Sequence, residues 1–90
     1  MFNLVTTKNF KKDVKKCIRR GCDLKELGFV IEKLLNEETL ETKFKDHALL
    51  GNYSGFRECH IQPDWLLIYA VNKDKLILTA SRTGTHSDLY

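Results

Sequence analysis

Apolar residues recur at two different periods in this chain, every three or four positions as far as Asn36 and nearer every second position from Phe56 onward. Phe2 to Thr6 alternates as a short first strand does. Thr7 is a suitable cap for a helix running to about Arg20, along which Phe10, Val14, Cys17 and Ile18 form a stripe before Gly21 offers a stop. Asp23-Leu24-Lys25-Glu26 has the spacing of a capping box and opens a second helix ending near Asn36, with Leu27, Val30, Ile31, Leu34 and Leu35 on one side. Two amphipathic helices joined by a short link predict a helical hairpin.

From Phe56 the pattern predicts a strand over 56–61, broken at Gln62-Pro63-Asp64. Trp65 to Val71 is apolar at every position, as in a central strand covered on both faces. Asn72-Lys73-Asp74 then turns the chain into a further strand over 75–81, followed by a short tail. Turn-length gaps between these three segments favour an antiparallel meander. The expected fold is α+β: a two-helix hairpin packed on a small antiparallel sheet in the order β-α-α-β-β-β, with 1–90 as one domain. The hairpin would cover one face of the sheet and leave the other for a ligand.

Composition adds exclusions. With 42% hydrophobic and 30% charged residues among 90, the chain has the balance of a folded protein and not of a disordered one. The run 65–71 is far too short to span a bilayer, and Lys8, Lys11 and Lys12 interrupt any secretory leader. Cys17, Cys22 and Cys59 are an odd set without a C-x-x-C pair, which excludes a disulfide scaffold and points to a reduced, cytoplasmic protein with no membrane partner.

Charge is distributed unevenly. Lys8, Lys11, Lys12, Lys15, Lys16, Arg19 and Arg20 face only Asp13 within residues 1–22, a net charge of +6, whereas residues 23–90 sum to −3. A solvated helix face is normally laced with Glu–Lys pairs, and this one has almost no acids, so a polyanion such as nucleic acid is a candidate partner.

The candidate chemistry gathers at one end of the predicted meander. His60 ends one strand, Asp64 and Trp65 begin the next, His47 precedes the first of them and His86 follows the last. Glu58 and His60, two apart on a strand, share a face with Phe56 at a spacing of roughly 7 Å, while Arg57, Cys59 and Ile61 point the other way. Imidazoles, carboxylates and the arginines Arg57 and Arg82 fit two chemistries. One is a metal site, for which no histidine pair has close helical spacing. The other is metal-free RNA cleavage, in which the substrate's own 2′-hydroxyl attacks phosphorus and the protein supplies base, acid and positive charge.

Three segments carry a family likeness: Asp46-His47-Ala48-Leu49-Leu50-Gly51, the run from Phe56 through Arg57-Glu58-Cys59-His60-Ile61-Gln62-Pro63-Asp64-Trp65 to Tyr69, and Gly84-Thr85-His86-Ser87-Asp88-Leu89-Tyr90. Together they resemble the YafQ branch of the RelE/ParE toxins, over nearly the whole chain. The resemblance implies a RelE-like fold and a ribosome-dependent mRNA endonuclease, the toxin half of a type II toxin–antitoxin pair. It implies acid–base roles for His47, His60, Asp64 and His86, and substrate positioning by Arg57, Glu58, Trp65, Arg82 and Tyr90. The basic helix, from Lys8 through Lys11, Lys12, Lys15, Lys16 and Arg19 to Arg20, would then dock on ribosomal RNA phosphates. No cofactor and no metal are implied; the partners are a cognate antitoxin, the ribosome and mRNA, with the toxin monomeric when free and hetero-oligomeric with its antitoxin. The sequence departs from its relatives at Ala48, Leu50 and Thr83, where Pro, Lys and Leu are common. The alternative expectation is a ParE-like toxin that inhibits a protein target without cutting RNA.

Overall fold

The computed structural model describes residues 1–90 as β1 (Asn3–Thr6), α1 (Lys8–Arg19), α2 (Leu24–Leu35), β2 (His47–Ala48), β3 (Arg57–Gln62), β4 (Trp65–Asn72), β5 (Ile77–Gly84) and α3 (His86–Leu89), with single 3₁₀ turns at Thr42–Phe44 and Gly51–Tyr53. Thr7 caps α1 by accepting the Phe10 amide at 3.0 Å, and Gly21 follows its C-terminus at φ +82°, a conformation that costs glycine nothing. Asp23 caps α2 through the Lys25 amide at 2.9 Å. The expected capping box does not form there, because the Glu26 carboxylate accepts from Gln62 Nε2 instead, at 2.7 Å.

The sheet order is β1-β5-β4-β3-β2. Strands β2 to β5 are antiparallel neighbours as the meander predicts, but β1 pairs parallel to β5, so the sheet is mixed and not wholly antiparallel. The cause is topological: β1 is joined to β5 by the whole intervening chain, and parallel neighbours need only such a long crossover, never a hairpin. The last strand also lies later than its pattern suggests. Leu76 sits in the turn at φ +55°, and β5 continues through Arg82 to Gly84. His47, expected in a loop, belongs to the two-residue strand β2, and the expected tail is the helix α3.

Alternation along β3 and β4 sorts side chains onto two faces. Cys59, Ile61, Trp65, Leu67 and Tyr69 pack with Phe10 and Cys17 of α1, and with Leu27, Val30 and Leu34 of α2, as the main core. On the other face Leu66 and Ile68 meet Leu89 of α3, with Leu49, Tyr53 and Phe56 alongside. This second, smaller cluster props the end of the sheet where the titratable groups stand. No helix is long and apolar enough to cross a membrane.

Candidate active site

The register of β2 on β3 sets His47 opposite Glu58, and that of β3 on β4 sets His60 opposite Leu66. All three polar groups therefore emerge on the face away from α1 and α2. Glu58 is only 5% exposed. A carboxylate buried this deeply requires a partner: its Oε2 accepts the Tyr90 hydroxyl, while its Oε1 faces His47 Nε2 and His60 Nε2, each at 3.5 Å, as ion pairs only when those imidazoles are protonated. Burial first, and then the hydrogen bond to Glu58, hold the Tyr90 phenol well above the ordinary tyrosine range. His47 Nδ1 stands 2.6 Å from the Lys45 carbonyl oxygen. A carbonyl only accepts, so Nδ1 carries the proton and Nε2 is the nitrogen turned to Glu58.

His86 completes the row. Its ring centroid is 5.7 Å from that of His60, which is 6.4 Å from that of His47. Asp64, in the β3–β4 turn, accepts both the His86 amide at 2.9 Å and its Nδ1 at 2.7 Å on one oxygen. The backbone bond first, then the ring, draws the Asp64 carboxyl below its usual range. This contact fixes the ring orientation and leaves Nε2 of His86, an exposed residue, free to hold or release a proton.

Helix α3 is short and is held from outside. Thr85 and Asp88 form a reciprocal capping box. Asp88 also accepts Lys16 Nζ at 3.0 Å and two nitrogens of Arg20 at 2.6 and 3.1 Å. Arg20, followed by the Thr85 amide, holds the Asp88 carboxyl far below the ordinary carboxylate range. Gly84 permits this approach, since a Cβ there would stand 2.9 Å from Asp88 Oδ2. Tyr53 donates to the Leu89 carbonyl at 3.3 Å and packs edge-on against Tyr90 at 5.5 Å.

Of the residues expected to act, His47, His60, Asp64, His86, Glu58 and Tyr90 lie together. Three expected substrate contacts do not. Arg57 projects from the helix-side face and bonds Asp46 at 3.2 Å, where the Tyr69 hydroxyl shares the same oxygen at 2.5 Å. Trp65 is a core residue, 7% exposed, whose indole donates to Thr83 Oγ1 at 3.0 Å. Strand parity is the reason in both cases. Arg82 is on the correct face, but its guanidinium is committed to Asp13 at 2.7 and 3.1 Å, at the stretch of β5 that α1 covers in place of a strand. All seven cations of the basic block are exposed; Lys16 and Arg20 grip Asp88, whereas Lys8, Lys11, Lys12, Lys15 and Arg19 form no ion pair. Asp88 and Tyr53 were not anticipated, although Thr85-His86-Ser87-Asp88 carries a capping-box spacing that would have revealed α3.

The row of imidazoles against carboxylates, with one ring nitrogen of His86 free, is equipped to move protons on both sides of a bound phosphate. Comparison with known proteins narrows the chemistry. The family described as the bacterial toxin of type II toxin-antitoxin system, YafQ, matches residues 2–90. The mRNA interferase toxin YafQ of Escherichia coli K12 is 42% identical over 82 residues, covering 90% of this chain and 87% of the relative. The crystal structure of the E. coli DinJ–YafQ complex contains a chain 34% identical, with a TM-score of 0.91 and coverage of 100% of this chain and 99% of that one. A metal-bound toxin from Helicobacter pylori is 43% identical over all of both chains, with a TM-score of 0.94. In the present chain no group of three or more His, Cys, Asp or Glu side chains has the geometry to hold a metal ion.

Proposed function

The chain belongs to the YafQ family of bacterial type II toxin–antitoxin toxins and is an mRNA-cleaving endoribonuclease, and from that premise we propose that it cuts by proton transfer among the groups of the imidazole row. One base takes the 2′-hydroxyl proton as that oxygen attacks phosphorus. One acid protonates the 5′-oxygen as its bond to phosphorus breaks, leaving a 2′,3′-cyclic phosphate and a 5′-hydroxyl. His86 is the better acid, because Asp64 fixes its Nδ1 and leaves Nε2 directed outward. His60, beside buried Glu58, is the better base, and His47 stands ready for the developing charge on the phosphorane oxygens. Asp64 acts through His86 and Glu58 through His47 and His60, so both are positioning residues.

The observation that carries this reading is the His86–Asp64 contact with His60 next to it, in a chain of this family. The reading also includes a ribosome-bound substrate, approached through the unpaired cations Lys8, Lys11, Lys12, Lys15 and Arg19. It includes a cytoplasmic location and a cognate antitoxin that covers the site or α1. The DinJ–YafQ assembly of the relative supports the last of these.

The test is mapped cleavage of a reporter mRNA with and without translating ribosomes. Cuts confined to the translated sample are expected, and they should persist in EDTA when polyamines keep the ribosomes intact. Cleavage that EDTA abolishes and stoichiometric zinc restores would replace the proton-transfer chemistry with metal chemistry. Growth arrest on expression without any cleavage would return the ParE-like alternative, and harmless high-level expression would count against both toxin readings.

A further inference from the structure

We propose that the cleft between α2, the Thr42–Phe44 turn and the free end of β3 is a nucleotide subsite for the RNA strand next to the scissile phosphate. This rests on the endonuclease reading and extends it to residues outside the imidazole row. The cleft has a volume of about 590 Å³ and is lined by Lys25 and Phe29 of α2, by Lys43, Phe44 and Lys45, and by His60. That volume is in the range of small-ligand sites. The cleft opens because β2 pairs with only Arg57 and Glu58, leaving the edge of β3 beyond Glu58 without a neighbouring strand.

Three features commit the cleft to a nucleic-acid occupant. His60 lines the cleft while its ring stands in the imidazole row on the other side of the unpaired β3 edge, so a strand whose phosphate lies against the row reaches the cleft by passing round that edge. Lys25, Lys43 and Lys45 are exposed and form no ion pair, and the one acid in the lining, Glu26, is engaged by Gln62. The charge therefore suits a phosphodiester. Phe29, finally, is 50% exposed although its neighbours Leu27 and Val30 are buried in the core. The Lys33 ammonium stands 5.2 Å from the centroid of that ring, and an aromatic ring with a cation at one face, at the surface of a cationic cleft, is a stacking platform for a base at the other. An acidic peptide would satisfy the lysines but has no use for a flat ring next to a proton-transfer row.

The experiment uses a fluorescent, fully 2′-O-methylated decamer, which has no nucleophilic hydroxyl and cannot be cut. Phe29→Ala should weaken its binding by about 5- to 100-fold, the range for loss of one base–aromatic stack. Lys43→Ala with Lys45→Ala should lower the slope of log affinity against log salt by about 1.4, two contacts at about 0.7 each for single strands. Circular dichroism checks that each variant is folded. No binding by the wild type, or affinities and slopes unchanged in both variants, would overturn the subsite. So would loss of an acidic decapeptide's binding in the variants with oligonucleotide binding intact, which would assign the cleft to a protein. The two readings fail separately. A protein that binds the decamer through Phe29 and the lysines but cuts no translated mRNA keeps the subsite and loses the endonuclease. One that cuts mRNA, with variants cutting at wild-type positions and rates and binding normally, does the reverse.

Discussion

Glu58 and Trp65 are buried to almost the same degree, at 5% and 7% exposure, on opposite faces of the same pair of strands. What surrounds them differs entirely. On the face toward α1 and α2, polar atoms are tied to partners that do not exchange protons near neutral pH: the Trp65 indole donates to Thr83, whose hydroxyl donates to the Leu66 carbonyl at 2.7 Å. The Cys59 thiol, wrapped in apolar side chains, is pushed up to about 12 by burial and stays neutral. On the face toward α3, Glu58 is ringed by two imidazoles and a phenol, and a third imidazole is steered by Asp64. Burial alone thus says little about role. The difference lies in whether the partners of a buried polar group can give up or take a proton, and strand parity keeps the two kinds apart on consecutive residues.

If that division holds, the largest effect belongs to His86. His86→Ala should slow cleavage by about 10²- to 10⁴-fold, the range for losing a general acid or base. The residue is exposed, so its melting curve should stay near that of the wild type. A loss of only a few-fold would mean that His47 and His60 share the proton transfers. On the other face, Leu67→Ala should cost about 2–5 kcal/mol in a urea titration through the cavity it leaves. The folded fraction of that variant should still cut at the wild-type rate. Thr83→Val should cost about 1–3 kcal/mol, because the Trp65 indole and the Leu66 carbonyl both lose their partner.

The smallest expected effect concerns the clamp between the faces. Asp88 has a folded-state pKa depressed chiefly by Arg20, so its contribution to stability is present above the unfolded value near 4 and is lost as pH falls below it. Asp88→Asn should flatten the acid limb of a stability–pH profile below about pH 4, and an unchanged limb would show that the clamp is not linked to folding.

Much of this was legible beforehand. Thr7 as a cap, both helical stripes, the Pro63 break and the meander of β3 to β5 follow from local pattern, because each is decided by neighbours within a few residues. The same alternation put Glu58 and His60 on one face. It also put Arg57 on the other, and the family likeness alone argued otherwise for Arg57 and Trp65. The parallel pairing of β1 was not legible, since nothing near Asn3 encodes a neighbour at Ile77. Nor was the use of Lys16 and Arg20 to hold α3, an interaction spanning 68 to 72 residues. A run of cations in sequence looks uniform. Only the fold distinguishes the two that grip Asp88 from the five that remain free.

The division between the faces is tested most directly by two neighbours on β3, His60 and Ile61, replaced one at a time by alanine and assayed for both melting temperature and single-turnover cleavage of translated mRNA. The predicted result is a His60→Ala protein that melts within a few degrees of the wild type and cuts at least about 10²-fold more slowly. Ile61→Ala should melt about 10 °C or more lower, as expected for a core truncation in a domain of this size, and, although Ile61 also lines the α2 cleft, cut within a few-fold of the wild-type rate while folded. A fully active His60→Ala, or an Ile61→Ala that is folded but inactive, would contradict the assignment of chemistry to one face and stability to the other.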